Sequence, residues 1–246
     1  MLSKDIISSM LPDTLVEVYK VTDSTNTMAI KLSEETKKNV LAVSEEQTQG
    51  RGRQGKSFYS PPGGGVYFSL VIRPDGELND IVFVTSAAAV AVAKTIEEMT
   101  GLEPKIKWVN DIYIDGKKVC GILVQSVIQG GKVRGVCIGI GVNISTEDFP
   151  EELCGRAGSL GKEIDRNIFV ARVCEKLIQF GANISDRSYL DYYRKNSCVI
   201  GKDIKYYENN IEHFARAIGI DDNANLIVNE DGKIKNLSSG EITVRL

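Results

Sequence analysis

Residues 105–140 read KIKWVNDIYIDGKKVCGILVQSVIQGGKVRGVCIGI, and this stretch decides the fold. Short runs rich in Val and Ile fall at 105–109, 111–114, 118–128 and 133–140. Asp115-Gly116 and Gly130-Gly131 stand between them, and such dipeptides suit the positive φ angles of two-residue hairpin turns. Hairpins join antiparallel neighbours. The central sheet is therefore expected to be mixed and largely antiparallel.

Working outward, Asp23-Ser24-Thr25-Asn26 supplies helix N-cap chemistry, and Met28, Leu32 and Thr36 recur at helical spacing behind it. That predicts a helix over 25–37 and a buried strand over 40–44. Periodicity then vanishes across 45–65, where Gly50, Gly52, Gly55, Pro61, Pro62, Gly63, Gly64 and Gly65 crowd together. Long loops inside compact domains are usually functional. A strand is expected at 66–73, a buried Ala-rich helix at 79–99, and helices at 167–180 and 189–195. After 196 the texture changes to short strand-like runs at 203–207, 211–220, 225–228, 233–236 and 241–244, broken by turns such as Asp231-Gly232. The expected class is α+β: a sheet flanked by helices over 1–196, then a small β-barrel over 197–246.

Composition narrows the chemistry. Among 246 residues, 42% are hydrophobic and 26% charged, ordinary for a soluble globular chain. The net charge of −3 argues against a DNA-coating protein. No run of about 18 apolar residues appears, and the N-terminus lacks the layout of a secretory signal. No membrane partner is expected. The five cysteines are widely spaced with no CxxC, which favours reduced core thiols in the cytoplasm over a disulfide frame or zinc cage. A single histidine, His213, excludes two-histidine metal sites and is expected to be structural. No protein metal site is expected.

Three segments carry chemistry. Gly50, Gly52 and Gly55 satisfy GxGxxG, but prolines and glycines follow where a dinucleotide fold needs a helix. The same segment places Arg51, Arg53 and Lys56 on a glycine-loosened backbone, suited to closing over a phosphate or carboxylate; a merely solvated basic loop is the alternative. In the second segment, plain alternation puts Lys118, Cys120, Ile122 and Val124 on one strand face, and Val119, Gly121, Leu123 and Gln125 on the other. Gly121 in mid-strand suggests that another group packs there. In the third, Gly139-Ile140-Gly141-Val142-Asn143, a ligand across the glycine face and a sheet corner both explain the spacing.

Taken in order, Ser24-Thr25-Asn26, Gln47 to Gly55, Lys107-Trp108-Val109-Asn110-Asp111, Lys118 to Leu123, Gly139 to Asn143, Ala157-Gly158-Ser159-Leu160 and Ser239-Gly240-Glu241-Ile242 resemble the biotin–protein ligases. The likeness spans about residues 18–246. It implies a mixed sheet like that of class II aminoacyl-tRNA synthetases plus an SH3-like C-terminal barrel. It implies activation of biotin by ATP with Mg²⁺ to biotinyl-5′-AMP, then transfer to a lysine of an acceptor such as a biotin carboxyl carrier protein. By the same resemblance, Lys118, Arg53, Arg51 and Asp111 are catalytic. Ser24, Thr25, Asn26, Gln47, Gly50, Arg51, Gly52, Arg53, Tyr67, Lys118 and Gly121 would hold biotin. Arg53, Lys56, Phe58, Trp108, Asn110, Asn143 and Ser159 would hold the nucleotide, with Phe58 over the adenine. Val109 stands where the family usually has proline, and Gly158 where it has a hydroxylated residue. Larger members carry an N-terminal helix-turn-helix; about 20 residues precede the motifs here, so no DNA binding is expected, and a homodimer through sheet edges is plausible. A lipoate or other acyl–protein ligase, and a non-catalytic anion-binding module with an SH3-like interaction domain, are the competing readings.

Overall fold

A computed structural model describes residues 1–74, 81–208, 211–238, 240 and 242–244; the side chains of 81 and 82 lie outside that description. The chain opens with α1 (Lys4–Met10), β1 (Thr14–Tyr19), α2 (Thr25–Ser33), β2 (Asn39–Ser44) and β3 (Gly65–Ile72). Then follow α3 (Ile81–Thr100), β4 (Lys105–Lys107), β5 (Asp111–Ile114), β6 (Lys117–Gln129) and β7 (Lys132–Asn143). Helices α4 (Arg166–Ala182) and α5 (Tyr189–Lys195) precede β8 (Asp203–Glu208), β9 (Ile211–Ile220), β10 (Leu226–Glu230), β11 (Lys233–Leu237) and β12 (Ile242–Val244).

The first seven strands form one sheet in the order β1-β2-β3-β7-β6-β5-β4. Only β1 and β2 pair in parallel, so the sheet is mixed and largely antiparallel, as expected. Asp115 and Gly116, Gly130 and Gly131, and Asp231 and Gly232 all take positive φ, which matches the right-handed strand twist at tight hairpins. Strands β8–β12 form a separate five-stranded antiparallel sheet, consistent with an SH3-like unit.

Differences from the sequence reading are local. Helix α2 stops at Ser33 rather than 37, where Arg73 donates to the carbonyls of Ser33 and Thr36 at 2.7 and 2.8 Å and ends the helix. Nothing was expected before residue 23, yet α1 and the edge strand β1 are there. The start of the 79–99 helix, and Ser239 and Glu241 of the last motif, lie outside the described residues. The change of sheet comes near 196, but the apolar core does not break there: Val199, Ile204, Leu226 and Val228 join the same cluster as Trp108 and Ile106.

The two faces of the larger sheet differ. Leu41, Val43, Phe68, Leu70, Ile138 and Ile140 are buried on one face beneath α3 and α4. On the other, α2 covers Val40, Ala42, Val71 and Cys137 at one end. The rest of that face holds the cavity.

Candidate active site

Three strands make the floor. Tyr67 of β3, Gly141 of β7 and Gly121 of β6 are cross-strand neighbours, and Ser69, Gly139 and Leu123 form the next row. Side chains from elsewhere use the space the glycines leave. A Cβ on Gly141 would lie 2.5 Å from the Phe58 ring, one on Gly121 3.0 Å from it, and one on Gly139 2.0 Å from the Asn26 amide. The alternating glycines are thus explained by close packing on the floor, and no sheet corner is needed.

A cavity of about 550 Å³ stands on this floor. One end is neutral and polar. Gln47 Oε1 accepts from the Thr25 backbone N–H at 2.8 Å and lies 3.0 Å from Thr25 Oγ1, while Gln47 Nε2 donates to Ser60 Oγ at 3.1 Å. Ser24 caps α2 without a side-chain capping bond. Elsewhere the lining is cationic: Arg51, Arg53, Lys56, Lys107, Lys118 and Arg156, against Asp111 as the one carboxylate among the described residues. Lys118 Nζ lies 2.7 Å from Asp111 Oδ1. Arg53 donates to Asn110 Oδ1 at 3.3 Å, and Asn110 Nδ2 donates to the Ile122 carbonyl at 2.8 Å, so strand β6 holds the corner that carries Asp111. Burial, with Asp111 nearby, pushes the Tyr113 hydroxyl up to about 12.

The flap that carries Arg51, Arg53 and Lys56 turns at Gln54 and Gly55, both with positive φ. The Phe58 N–H donates to the Gly50 carbonyl at 2.9 Å and closes its base. The Lys107–Asp111 corner is held from behind: Trp108 Nε1 donates to the Ala224 carbonyl at 3.0 Å and Tyr193 to that of Val109 at 3.1 Å. The Trp108–Val109 peptide is cis.

Plain alternation misplaces Lys118. A bulge makes Tyr113 pair with Lys118 while Ile112 pairs with Cys120, so Val119 is an extra residue. The phase of the strand shifts there, and Lys118 Cε comes 3.3 Å from the Cβ position of Gly121. Lys118 therefore shares the face of Gly121, and Cys120 and Ile122 stay in the core.

The structure brings Ser24, Thr25, Asn26, Gln47, Arg51, Gly52, Arg53, Lys56, Phe58, Trp108, Asn110, Asp111, Lys118 and Gly121 into the cavity lining. Gly50 and Tyr67 lie just behind it, Tyr67 fully buried with its ring centroid 6.4 Å from that of Phe58 in an edge-to-face pair. Ser159 lines a separate hollow beside Thr146 and Phe149. Asn143 is buried and donates to the Gly158 carbonyl at 3.1 Å, while its Oδ1 has no partner. A Cβ on Gly158 would fall 2.7 Å from that of Lys117, which accounts for glycine in place of a hydroxylated residue. His213 lies in the smaller sheet, paired with Glu230 at 2.7 Å and stacked on Tyr206, a structural role. Cys120, Cys137 and Cys174 are buried, and all five thiols are free. No described helix is long and apolar enough to cross a membrane.

Sequence reasoning missed Arg156, Ser60, Ser69 and Gln125. Arg156 adjoins the Ala157-Gly158-Ser159 segment, which was its available signal. The other three have none, because serine and glutamine in or beside a strand are ordinary.

A glycine-floored, cation-rich cavity lies under a basic flap, on a mixed sheet backed by helices. Residues 18–143 match the Biotin/lipoate A/B protein ligase family, and the chain belongs to it. It is 35% identical over 215 residues to the bifunctional ligase/repressor BirA of Bacillus subtilis, covering 82% of this chain and 65% of that one. The match spans just under two thirds of that relative's length. The biotin–[acetyl-CoA-carboxylase] ligase of Paracoccus denitrificans is 36% identical over 126 residues, covering 50% and 52% of the two chains. A biotin protein ligase from Aquifex aeolicus, solved in complex with biotin and ATP, superposes with a TM-score of 0.79 at 25% identity over 94% of this chain and 98% of that one. The fold is that of the biotin protein ligases.

Proposed function

We propose that this chain activates biotin with ATP and transfers it to a lysine of an acceptor protein. The observation that carries the reading is the polarity of one cavity: hydroxyl and amide groups at the α2 end, six cations against one carboxylate beyond. A ligand with a neutral hydrogen-bonding ring and a carboxylate tail fits that gradient. Ser24, Thr25, Asn26 and Gln47 would take the ring, and Lys118, Arg51 and Arg53 the carboxylate and the α-phosphate of ATP.

In the first step a carboxylate oxygen attacks the α-phosphorus, the P–O bond to pyrophosphate breaks, and biotinyl-5′-AMP forms. Negative charge builds on the phosphorus oxygens, and the fixed ammonium of Lys118 stabilises it without solvent reorganisation. The flap cations hold the phosphates and exclude water from the anhydride. In the second step the lysine amine attacks the acyl carbon, AMP leaves, and Asp111 stands where it can accept the amine proton. Mg²⁺ would arrive with ATP and would supply charge neutralisation at the phosphates, beside Arg51, Arg53 and Lys56.

The relatives' names support a carrier domain of acetyl-CoA carboxylase type as acceptor. The proposal places the enzyme in the cytoplasm, divides the chain near 196, and includes a homodimer through an open sheet edge; the net charge of −3 argues against duplex DNA as a partner. Mass spectrometry of the chain mixed with Mg-ATP and biotin tests the core claim. Bound biotinyl-5′-AMP is expected, with none from lipoate. An adenylate formed with lipoate and not with biotin would refute it.

A further inference from the structure

A chain of polar side chains crosses the cavity floor, and the chemistry above leaves two of its members, Ser69 and Gln125, unused. Thr25 Oγ1 lies 3.0 Å from Gln47 Oε1 and 2.7 Å from Ser69 Oγ. Ser69 Oγ lies 2.6 Å from one end of the Asn26 amide, and the other end of that amide lies 2.7 Å from the Gln125 amide. Thr25, Asn26 and Ser69 are 3%, 5% and 0% exposed, so their hydrogen bonds are made chiefly to one another. Gly139 makes room for the Asn26 amide above it.

Proton counting fixes the direction of this chain. With the Asn26 oxygen toward Ser69, three oxygen–oxygen contacts run from Gln47 through Thr25 and Ser69 to Asn26. Two hydroxyl protons are available for them, and the carbonyl oxygens at both ends supply none. One contact of 2.6 to 3.0 Å would then be oxygen against oxygen with no proton between. A half-turn of the Asn26 amide keeps the same shape and points Nδ2 at Ser69. Asn26 then donates to Ser69, Ser69 to Thr25, and Thr25 to Gln47. The Asn26 oxygen faces Gln125, whose amide, turned likewise, donates from Nε2. Every contact then carries one proton.

We propose that Asn26 and Gln125 are positioning residues that head a one-way relay, Gln125 to Asn26 to Ser69 to Thr25 to Gln47, and so set the ring end of the binding site. The proposal rests on the reading that biotin's ring lies at that end. Gln125 does not line the cavity, so it acts through Asn26. The relay holds Gln47 with its oxygen on the α2 N-terminus and its nitrogen on Ser60, which itself donates to the Phe58 carbonyl at 2.9 Å.

Gln125→Glu and Gln125→Met test the direction. Glutamate cannot donate, so Asn26 turns its nitrogen toward it and its oxygen toward Ser69, and the relay reverses at its head. Methionine removes the partner but imposes no direction. The loss of one hydrogen bond predicts a biotin KM raised about tenfold in Gln125→Glu and at most about threefold in Gln125→Met, with kcat and the KM for ATP within about twofold. Without ligand, Gln125→Glu should also melt below Gln125→Met. A Gln125→Glu protein that matches wild type in both readouts overturns the relay. Lower melting with an unchanged biotin KM overturns the positioning role. If wild type ignores biotin while Gln125→Glu still melts below Gln125→Met, the proposed function fails and the relay stands.

Discussion

Strand β7 presents two faces that solve different problems. Val136, Ile138, Ile140 and Val142 point into the core under the helices. Cys137, Gly139, Gly141 and Asn143 point the other way, where two of the four have no side chain at all. On the covered face, each residue stabilises by filling space; on the cavity face, the glycines leave space that Asn26, Phe58 and a ligand can use. One strand thus separates stability from function by alternation alone. Substitutions on the first face should change folding and spare chemistry; those on the second should do the reverse.

The largest expected effect is on the covered face. Ile138→Ala should lower unfolding free energy by about 4 kcal/mol, the upper part of the range for buried Ile truncations, with turnover per folded molecule unchanged. Denaturant unfolding beside pyrophosphate release checks both halves, and lost turnover in folded protein would break the division. Next comes Lys118→Ala: adenylate formation should slow by about two orders of magnitude, roughly 2.7 kcal/mol of barrier, while the melting temperature holds. Unchanged turnover would remove Lys118 from the chemistry. Smaller still, Gly141→Ala puts a methyl against the Phe58 ring and the ligand bed. Its expected cost is about tenfold in biotin affinity by calorimetry, with stability lowered by about 1 kcal/mol, the low end for an added methyl. A larger loss of stability than of affinity would show that the glycine serves folding.

The smallest effect concerns the cap of α4. The Asp165 carboxylate accepts from the backbone N–H groups of Ile168 and Asn167, and those bonds hold its pKa below the usual 3.8. A depressed carboxylate pKa stabilises the fold above the unfolded value, and the gain is lost as pH falls through the folded one. Asp165→Ala should cost about 1 kcal/mol at pH 7, and its gap from wild type should narrow below about pH 4. A gap that stays constant in acid would mean that the cap works without its charge. Activity should not change with this variant at neutral pH, because α4 lies on the covered face.

Much of this was legible beforehand because it is local. Asp115-Gly116 and Gly130-Gly131 turn where their backbone preferences say, and α5 occupies 189–195 as its pattern implies. The flap was visible as a glycine-rich break in periodicity with three cations. Edge strand β1 was not, since residues 14–19 are few and only half-buried.

By itself, the sequence determined the hairpin meander, the places of the helices after residue 23 though not every end, the basic flap and the family motifs, because each depends on residues within a turn or two of one another. Tertiary structure decided which face Lys118 takes, what fills the glycine gaps, and that Asn26, Ser69 and Gln125 meet. Those outcomes depend on strand register and on one extra residue at Val119, and a shift of a single position turns a side chain to the opposite face.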